Sequence, residues 1–251
     1  MPVKYSVILP TYNERENIER LISDIFFFLG QAAEIIVVDD NSPDGTWQKV
    51  EEIKPAYPGL KLLRRMKNPG LVASLKAGLE TAEGEIIVWL DADGSMPAAK
   101  IPELIQAVER GYDLVAGSRF IPQGGVELIT GSADSITGFF LSWLLNRWCQ
   151  LLLGSWFHDY TSGFVAVKKS VIKSLSLQGD YGEYFIALVY EAHRRGFHLL
   201  EIPYINRPRW SGQSKTGLNF LDYLRRGWRY FWLTLKLKFL SLRSSHVSQS
   251  F

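Results

Sequence analysis

Hydrophobic residues along this chain fall into short continuous runs that alternate with longer stretches of helical spacing. Tyr5–Leu9, Glu34–Val38 (EIIVV), Lys61–Arg64, Glu85–Leu90 (EIIVWL) and Asp113–Ala116 read as strands, brief, mostly rich in β-branched residues and followed by polar or turn-forming residues. Glu16–Leu29, Asp44–Ile53, Leu71–Ala82 and Ile101–Arg110 read as the helices between them. Asn41, Ser42, Pro43 and Asp44 supply turn and cap chemistry ahead of the second helix. Short apolar strands joined by helices of roughly ten to fifteen residues predict an α/β domain with a mostly parallel central sheet and right-handed crossovers.

In such a sheet a ligand binds beyond the carboxyl ends of the strands. That rule gathers the polar residues. Tyr12, Asn13 and Glu14 follow the first strand, Asp39 and Asp40 the second, Asp91 and Asp93 the fourth, and Ser118 and Arg119 the fifth. All are predicted to share one edge.

The second half changes character. Gly138–Phe157 (GFFLSWLLNRWCQLLLGSWF) is almost wholly apolar and aromatic, broken by Asn146, Arg147 and Gln150. A loop containing HDYTSGF, a strand at Val165–Lys168, a helix over Glu183–Arg195 and a strand near His198–Ile202 follow, then the loop RPRWSGQSK. Leu218–Leu242 closes the pattern as an aromatic helix threaded with Arg225, Arg226, Arg229, Lys236 and Lys238. Neither a linker nor a repeat divides the chain, so residues 1–217 are expected to form one domain and 218–251 an amphipathic helix with a polar tail.

Composition adds exclusions. A net charge of +2 over 251 residues gives no global field to attract nucleic acid. A single cysteine, Cys149, rules out an internal disulfide and fits a reducing compartment. The first apolar run stops at Pro10, too early for the core of a signal peptide, and reads as a strand. No uninterrupted apolar run reaches the roughly eighteen residues of a membrane span.

The stretch VWLDADGSMP carries the most specific chemistry. In an extended segment residues two apart point the same way, so Asp91 and Asp93 can present carboxylates to one point. Two hard oxygen ligands with open positions suit Mg²⁺ or Mn²⁺ completed by substrate phosphates, and such a metal neutralises a phosphate leaving group. A turn alone would also account for Asp-Ala-Asp-Gly, but the other polar strand ends beside it favour a ligand site. Asp39 and Asp40 suit hydrogen bonds from a ribose or base edge, with helix capping as the alternative. Arg119 suits a bidentate grip on phosphate, with a surface ion pair as the commoner fate.

Taken in order, VILPTYNERENI, EIIVVDDNSPDGT, the Asp-Ala-Asp, AGSRF, DYTSGF and GQSK resemble the family-2 glycosyltransferases over residues 4–217, and most of all the polyprenyl-phosphate (dolichol-phosphate) mannosyltransferase branch. The resemblance implies a GT-A fold. It also implies inverting transfer of a hexose, mannose favoured, from a nucleotide sugar to a polyprenyl phosphate. GDP-mannose is the favoured donor, with a UDP-sugar as the alternative. By motif, Pro10, Tyr12, Glu14, Asp39, Asp40 and Ala92 would line the nucleotide-sugar pocket. Asp91 and Asp93, with Ser95, would hold the metal and donor diphosphate. Arg119, together with Ser214, would meet the acceptor phosphate. Arg209, Ser214 and Lys215 would belong to a loop closing over the donor phosphates. A phosphate acceptor is already an anionic nucleophile, so orientation and charge neutralisation suffice without a strong base. His158 beside Asp159 is not read as a dyad, because adjacent side chains rarely face one another; Asp159 is assigned to loop anchoring or acceptor positioning.

The sequence departs from the branch at three places. Gly94-Ser95-Met96-Pro97 stands where Leu-Gln-His-Pro-Pro is usual, so Ser95 replaces a glutamine that can join the metal. ELITGSADSITG lacks the basic residues that commonly help bind the lipid phosphate. KNPGLVASLKAG stands where Gly-Leu-Gly is more usual. Two alternatives follow: transfer to a glycan or other hydroxyl, or a catalytically weakened homologue serving as the membrane-bound partner of another protein.

An acceptor lipid must be reached without a transmembrane span. The expectation is therefore a peripheral protein on the cytoplasmic face of a membrane. Leu218–Leu242 is read as a helix lying in the interface, whereas Gly138–Phe157 fits a core helix and an interfacial one equally well.

Overall fold

A computed structural model describes residues 3–127, 133–212 and 227–239, with the side chains of 133–137 outside the description. The first half runs β1 (Tyr5–Thr11), α1 (Arg15–Leu29), β2 (Ala33–Asp39), α2 (Thr46–Ile53), β3 (Leu60–Arg64), α3 (Leu71–Thr81), β4 (Ile86–Trp89), α4 (Ile101–Glu109) and β5 (Leu114–Ser118). Then follow β6 (Gly125–Val126), α5 (Ala133–Leu153), β7 (Val165–Lys168), α6 (Lys169–Ser174), α7 (Glu183–Arg194), β8 (Leu199–Pro203) and β9 (Ile205–Asn206). Residues 227–239 are helical.

β3-β2-β1-β4-β7-β5-β8 form a seven-stranded sheet, and β6 pairs with β9 in a small separate ribbon. Every pairing in the large sheet is parallel except those of β7, which runs antiparallel between β4 and β5. Val165, the first residue of β7, lies opposite Trp89, the last residue of β4, and Ala116, two residues before the end of β5. β7 therefore descends from the predicted ligand edge and places the preceding HDYTSGF loop there. The apolar pattern of Val165–Lys168 has no polarity, which is why the strand was legible in sequence and its direction was not.

The continuous apolar runs are explained by burial on both faces. On one face Val7, Leu9, Ile35, Val37 and Val88 pack under Ile18, Leu21 and Ile25 of α1, Val50 of α2 and Leu104, Ile105 and Val108 of α4. On the other, Ile8, Ile36, Ile87, Trp89, Leu114 and Val165 meet Leu75 of α3, Cys149 and Leu153 of α5, and Phe185, Leu188 and Val189 of α7. Each fully buried side chain of this size contributes about 1.5–3 kcal/mol of transfer free energy. The Cys149 thiol is pushed up to about 12 by burial, so it is a protonated packing group.

Charge closes the amino edge of the sheet. Glu34 of β2, 1% exposed, accepts from Ser6 Oγ at 2.5 Å and from the Glu83 backbone N–H at 2.6 Å, and lies 2.6 Å from Lys61 Nζ. Burial opposes its ionisation, yet Lys61 and these hydrogen bonds outweigh it and hold the carboxyl below its ordinary value.

α5 faces two environments. Asn146, Cys149 and Leu153 are buried, whereas Phe140, Trp143, Leu144 and Leu151 are exposed. The exposed positions recur at three- and four-residue steps with Arg147 among them, so they form one outward stripe. The helix at 227–239 packs against α5. Trp148 stacks on Phe231 at 4.9 Å and donates Nε1–H to Thr234 Oγ1 at 2.9 Å, while Arg229 reaches Asp180 at 3.2 Å. Leu233 and Leu237 pack on the core, and Trp228, Trp232 and Phe239 remain exposed. Both segments thus lend one side to the core and leave aromatic residues on the other. Among the described residues no helix is long and apolar enough to cross a membrane.

Candidate active site

The carboxyl edge of the sheet gathers the residues that the strand-end rule predicts. β1 ends in Thr11, whose hydroxyl lies 3.0 Å from Asp39 Oδ2. Asp39 is fully buried, and it also accepts from the Ser42 backbone N–H at 2.8 Å and the Ser42 hydroxyl at 2.6 Å. Asp40 binds Arg65 Nη1 at 2.5 Å, the Gly70 N–H at 2.6 Å and Ser74 Oγ at 2.9 Å, which ties β2 to the start of α3. The carboxylates of both residues thus shape the loops around this edge. Pro10 is half-buried in β1, and Tyr12 is exposed just beyond it. The second helix begins at Thr46 rather than Asp44, because Gly45 at its N-cap is left-handed with φ +90°; Asp44 Oδ1 accepts the Thr46 N–H at 2.9 Å and its Oδ2 the Arg15 N–H at 3.0 Å, so one carboxylate meets the first amide of both α2 and α1.

β4 delivers Asp91-Ala92-Asp93. The chain turns after Trp89, yet Ala92 is buried while Asp91 is exposed and Asp93 half-exposed, so the alternation expected of an extended segment survives the turn. Asp93 Oδ1 accepts the Ser95 N–H at 3.0 Å, and the Asp91 N–H points to Met96 Sδ at 3.4 Å. The loop after β9 docks on this turn through the Arg207 N–H to Ser95 O at 2.9 Å and the Trp210 N–H to Asp93 O at 3.0 Å.

Gly94 makes the docking possible. Its φ of +80° lies in the left-handed region, and a Cβ there would sit 2.3 Å from the Trp210 ring. The Arg20 guanidinium lies 4.2 Å from that ring's centre, and Ser211 Oγ bonds Glu16, both on α1. Arg209 is carried with Trp210. Its Nη2 lies 3.2 Å from Glu14 Oε1 and 3.3 Å from Asp93 Oδ2. Buried Glu14 is held from behind by Asn17 Nδ2 at 2.7 Å.

β5 delivers Arg119. Its Nε and Nη2 form a two-pronged grip on Asp159 at 2.8 Å each, its backbone N–H reaches the same carboxylate at 2.9 Å, and Nη2 also reaches Thr161 Oγ1 at 2.9 Å. Asp159 is itself completely buried, so this is an interior ion pair rather than the surface one that base expectation favours. Burial alone would lower the arginine's affinity for its proton, but Asp159, with a contribution from Asp91, raises it, and the guanidinium stays charged. β4 and β5 flank β7, so the Asp-Ala-Asp turn and Arg119 lie on the same edge of the sheet. Burial keeps the Tyr204 hydroxyl protonated.

His158 and Asp159 do not face one another. Glu201 of β8 accepts the His158 N–H at 2.8 Å, the Asp159 N–H at 2.9 Å, and lies 2.8 Å from His158 Nδ1. Glu201 left no mark in the sequence, since it is one polar residue in a strand. Thr161 and Trp210 sit inside recognised stretches, but only the fold reveals what they touch. Ser214 and Lys215, and the boundary expected at 217, lie outside the described residues.

Among the described residues no group of three or more His, Cys, Asp or Glu side chains could cage a metal. Asp91 and Asp93 fit a metal of the Mg²⁺ or Mn²⁺ kind on other grounds. They offer hard carboxylate oxygens on the solvent side of the turn, as suits an ion shared with substrate phosphates, and Asp93 already holds the positive end of Arg209.

The family model for glycosyl transferase family 2 matches residues 6–176. The chain belongs to that family. It is 35% identical over 236 residues to the dolichol-phosphate mannosyltransferase of Pyrococcus furiosus, covering 90% of this chain and 63% of that enzyme. It is 34% identical over 216 residues to the polyprenol monophosphomannose synthase of Mycolicibacterium smegmatis, covering 83% and 79%. It is 30% identical over 248 residues to the undecaprenyl-phosphate 4-deoxy-4-formamido-L-arabinose transferase of Aeromonas hydrophila, covering 97% and 72%. Among solved structures, glucosyl-3-phosphoglycerate synthase from Mycobacterium tuberculosis, in complex with Mn²⁺, UDP and glucosyl-3-phosphoglycerate, superposes with a TM-score of 0.68 at 22% identity, over 94% of this chain and 79% of that one. The same enzyme has also been crystallised with Mg²⁺ and UDP. The shared fold is the GT-A type that the motifs imply.

Proposed function

We propose that this protein transfers a hexose, with mannose favoured, from a nucleotide sugar to a polyprenyl phosphate at a membrane surface. One observation carries the reading: the Asp-Ala-Asp turn after β4 and the Arg119–Asp159 pair after β5 lie on the same carboxyl edge of the sheet, separated only by β7. The names of three relatives supply the acceptor class, since each specifies dolichol, polyprenol or undecaprenyl phosphate; two of the three specify mannose. GDP-mannose is accordingly the favoured donor, with a UDP-sugar as the alternative.

The reaction is a single displacement. An oxygen of the acceptor phosphate attacks the anomeric carbon, the bond from that carbon to the donor diphosphate breaks, and the nucleoside diphosphate leaves with the electron pair, inverting the configuration. Asp91 and Asp93, assisted by Ser95, would hold Mg²⁺ or Mn²⁺, which supplies charge neutralisation at the departing diphosphate. Pro10, Tyr12, Glu14, Asp39, Asp40 and Ala92 border the donor nucleotide. Arg209, released from Glu14 and Asp93, is placed to meet the donor phosphates, with Lys215 following it in the chain. Arg119 holds the acceptor phosphate, with Ser214 assigned beside it. The Nη1 side of its guanidinium takes no part in the Asp159 grip, so Asp159 orients the plane without covering all of it. No proton needs to be removed from the nucleophile.

Membrane contact is assigned to the outward stripe of α5 and to Trp228, Trp232 and Phe239, with Arg147 and Lys238 toward anionic headgroups on the cytoplasmic face. Wild-type protein incubated with GDP-mannose, Mn²⁺ and dolichyl phosphate is expected to yield an organic-extractable sugar lipid. No sugar lipid with GDP-mannose, UDP-glucose or UDP-GlcNAc would overturn the reading.

A further inference from the structure

α5 is built inside out at one point. While Phe140, Trp143 and Leu144 face outward, Ser142 and Asn146, one helical turn apart, face the protein. Asn146 is 2% exposed on a helix that otherwise offers the core Cys149 and Leu153. Its Nδ2 donates to the Ser142 carbonyl and to Thr161 Oγ1, each at 2.8 Å. Ser142 Oγ lies 3.1 Å from the same Thr161 hydroxyl. Thr161 Oγ1 in turn receives Arg119 Nη2 at 2.9 Å. The chain of contacts therefore runs from the inner face of the aromatic helix to the guanidinium assigned to the acceptor phosphate.

Packing does not explain this. Among the described residues Asn146 Oδ1 is buried with no hydrogen-bond partner, a cost that leucine at the same position would avoid. Asp159 alone already fixes two nitrogens of Arg119, so stability of the ion pair does not require Thr161 or Asn146. What they add is a link between Arg119 and α5.

We infer that Asn146 is a positioning residue for the acceptor phosphate: through Thr161 it registers Arg119 against the helix whose outer face meets the lipid. The inference rests on the polyprenyl-phosphate reading above. It accounts for acceptor recognition in a chain whose ELITGSADSITG stretch carries no Lys or Arg.

The test compares wild type with N146L, T161V and T161S. Acceptor KM and kcat are measured with dolichyl phosphate, nucleotide affinity by calorimetry with GDP and Mn²⁺, and folding by thermal midpoint. T161V should raise acceptor KM about tenfold, the size expected for losing one hydrogen bond to a charged group, and N146L, which loses only neutral hydrogen bonds, should raise it by a smaller factor, with kcat and GDP affinity within about twofold in both. T161S keeps the hydroxyl and should restore acceptor KM. N146L should keep the wild-type thermal midpoint, which a residue serving structure alone would lower. Should N146L fail to fold, T161V against T161S decides the matter. Unchanged acceptor KM in T161V, or an equal loss in kcat and GDP affinity, would overturn the inference and leave the function standing. A wild-type protein that makes no sugar lipid would remove both.

Discussion

The two edges of the sheet use the same residue types for opposite ends. At the amino edge Glu34 is sealed by Lys61, Ser6 and the Glu83 amide, and Asp113 by Lys168 and the His198 amide. At the carboxyl edge Asp91 stays exposed, Asp93 shares Arg209 with Glu14 at more than 3 Å, and Arg119 leaves one side of its plane outside its carboxylate grip. Tight closure marks charge committed to structure, and it also holds Asp39, Asp40 and the Arg119–Asp159 pair in place at the carboxyl edge; the long, shared contacts of Arg209 mark charge that a ligand can take over.

Five substitutions test that contrast. The largest effect on activity is expected at the turn: D91A or D93A should lower transfer by about 10³-fold or more, with little change in thermal midpoint, since neither carboxylate closes the core. An equal loss of stability in both variants would erase the distinction between the edges. D159A removes the partner of a buried guanidinium and should cost about 3–5 kcal/mol in denaturant titrations, along with acceptor binding. G94A forces a Cβ into the Trp210 ring and should weaken nucleotide binding about tenfold by displacing Arg209, a shift of about 1.4 kcal/mol readable by calorimetry. E34Q belongs to the other edge. It should lower stability by about 1–3 kcal/mol near neutral pH and leave donor and acceptor KM alone.

The pH dependence of E34Q sharpens the point. Because the folded-state carboxyl of Glu34 titrates below its ordinary value, its contribution is present in full above the unfolded value near ~4.3 and is lost as pH falls through the lower folded value. Wild type should therefore lose stability in acid more steeply than E34Q, with the two curves converging at low pH. Parallel curves would place the stabilisation elsewhere.

Most of this site was legible before the fold was known, because strands that are buried on both faces announce themselves and the residue after each one must lie at the ligand edge. EIIVVDD and EIIVWLDAD needed no tertiary information. The direction of β7 did, since Val165–Lys168 reads the same either way. So did the reason for Gly94: against the branch pattern it looked like a weakened motif, whereas its left-handed turn and the Trp210 ring show a packing requirement. The contact from Asn146 to Thr161 joins residues of one aromatic helix and one loop, and no periodicity encodes such a meeting. Ser95 remains an assigned metal contact, with its backbone N–H already serving Asp93.

The most direct test of the account is the stereochemistry of the product. Wild-type protein, given GDP-mannose, Mn²⁺ and dolichyl phosphate, should form a mannosyl phosphate lipid whose anomeric configuration, read by NMR, is inverted from that of the donor. A product with retained configuration, or mannose recovered only on a hydroxyl acceptor, would contradict direct attack by the phosphate that Arg119 is proposed to hold.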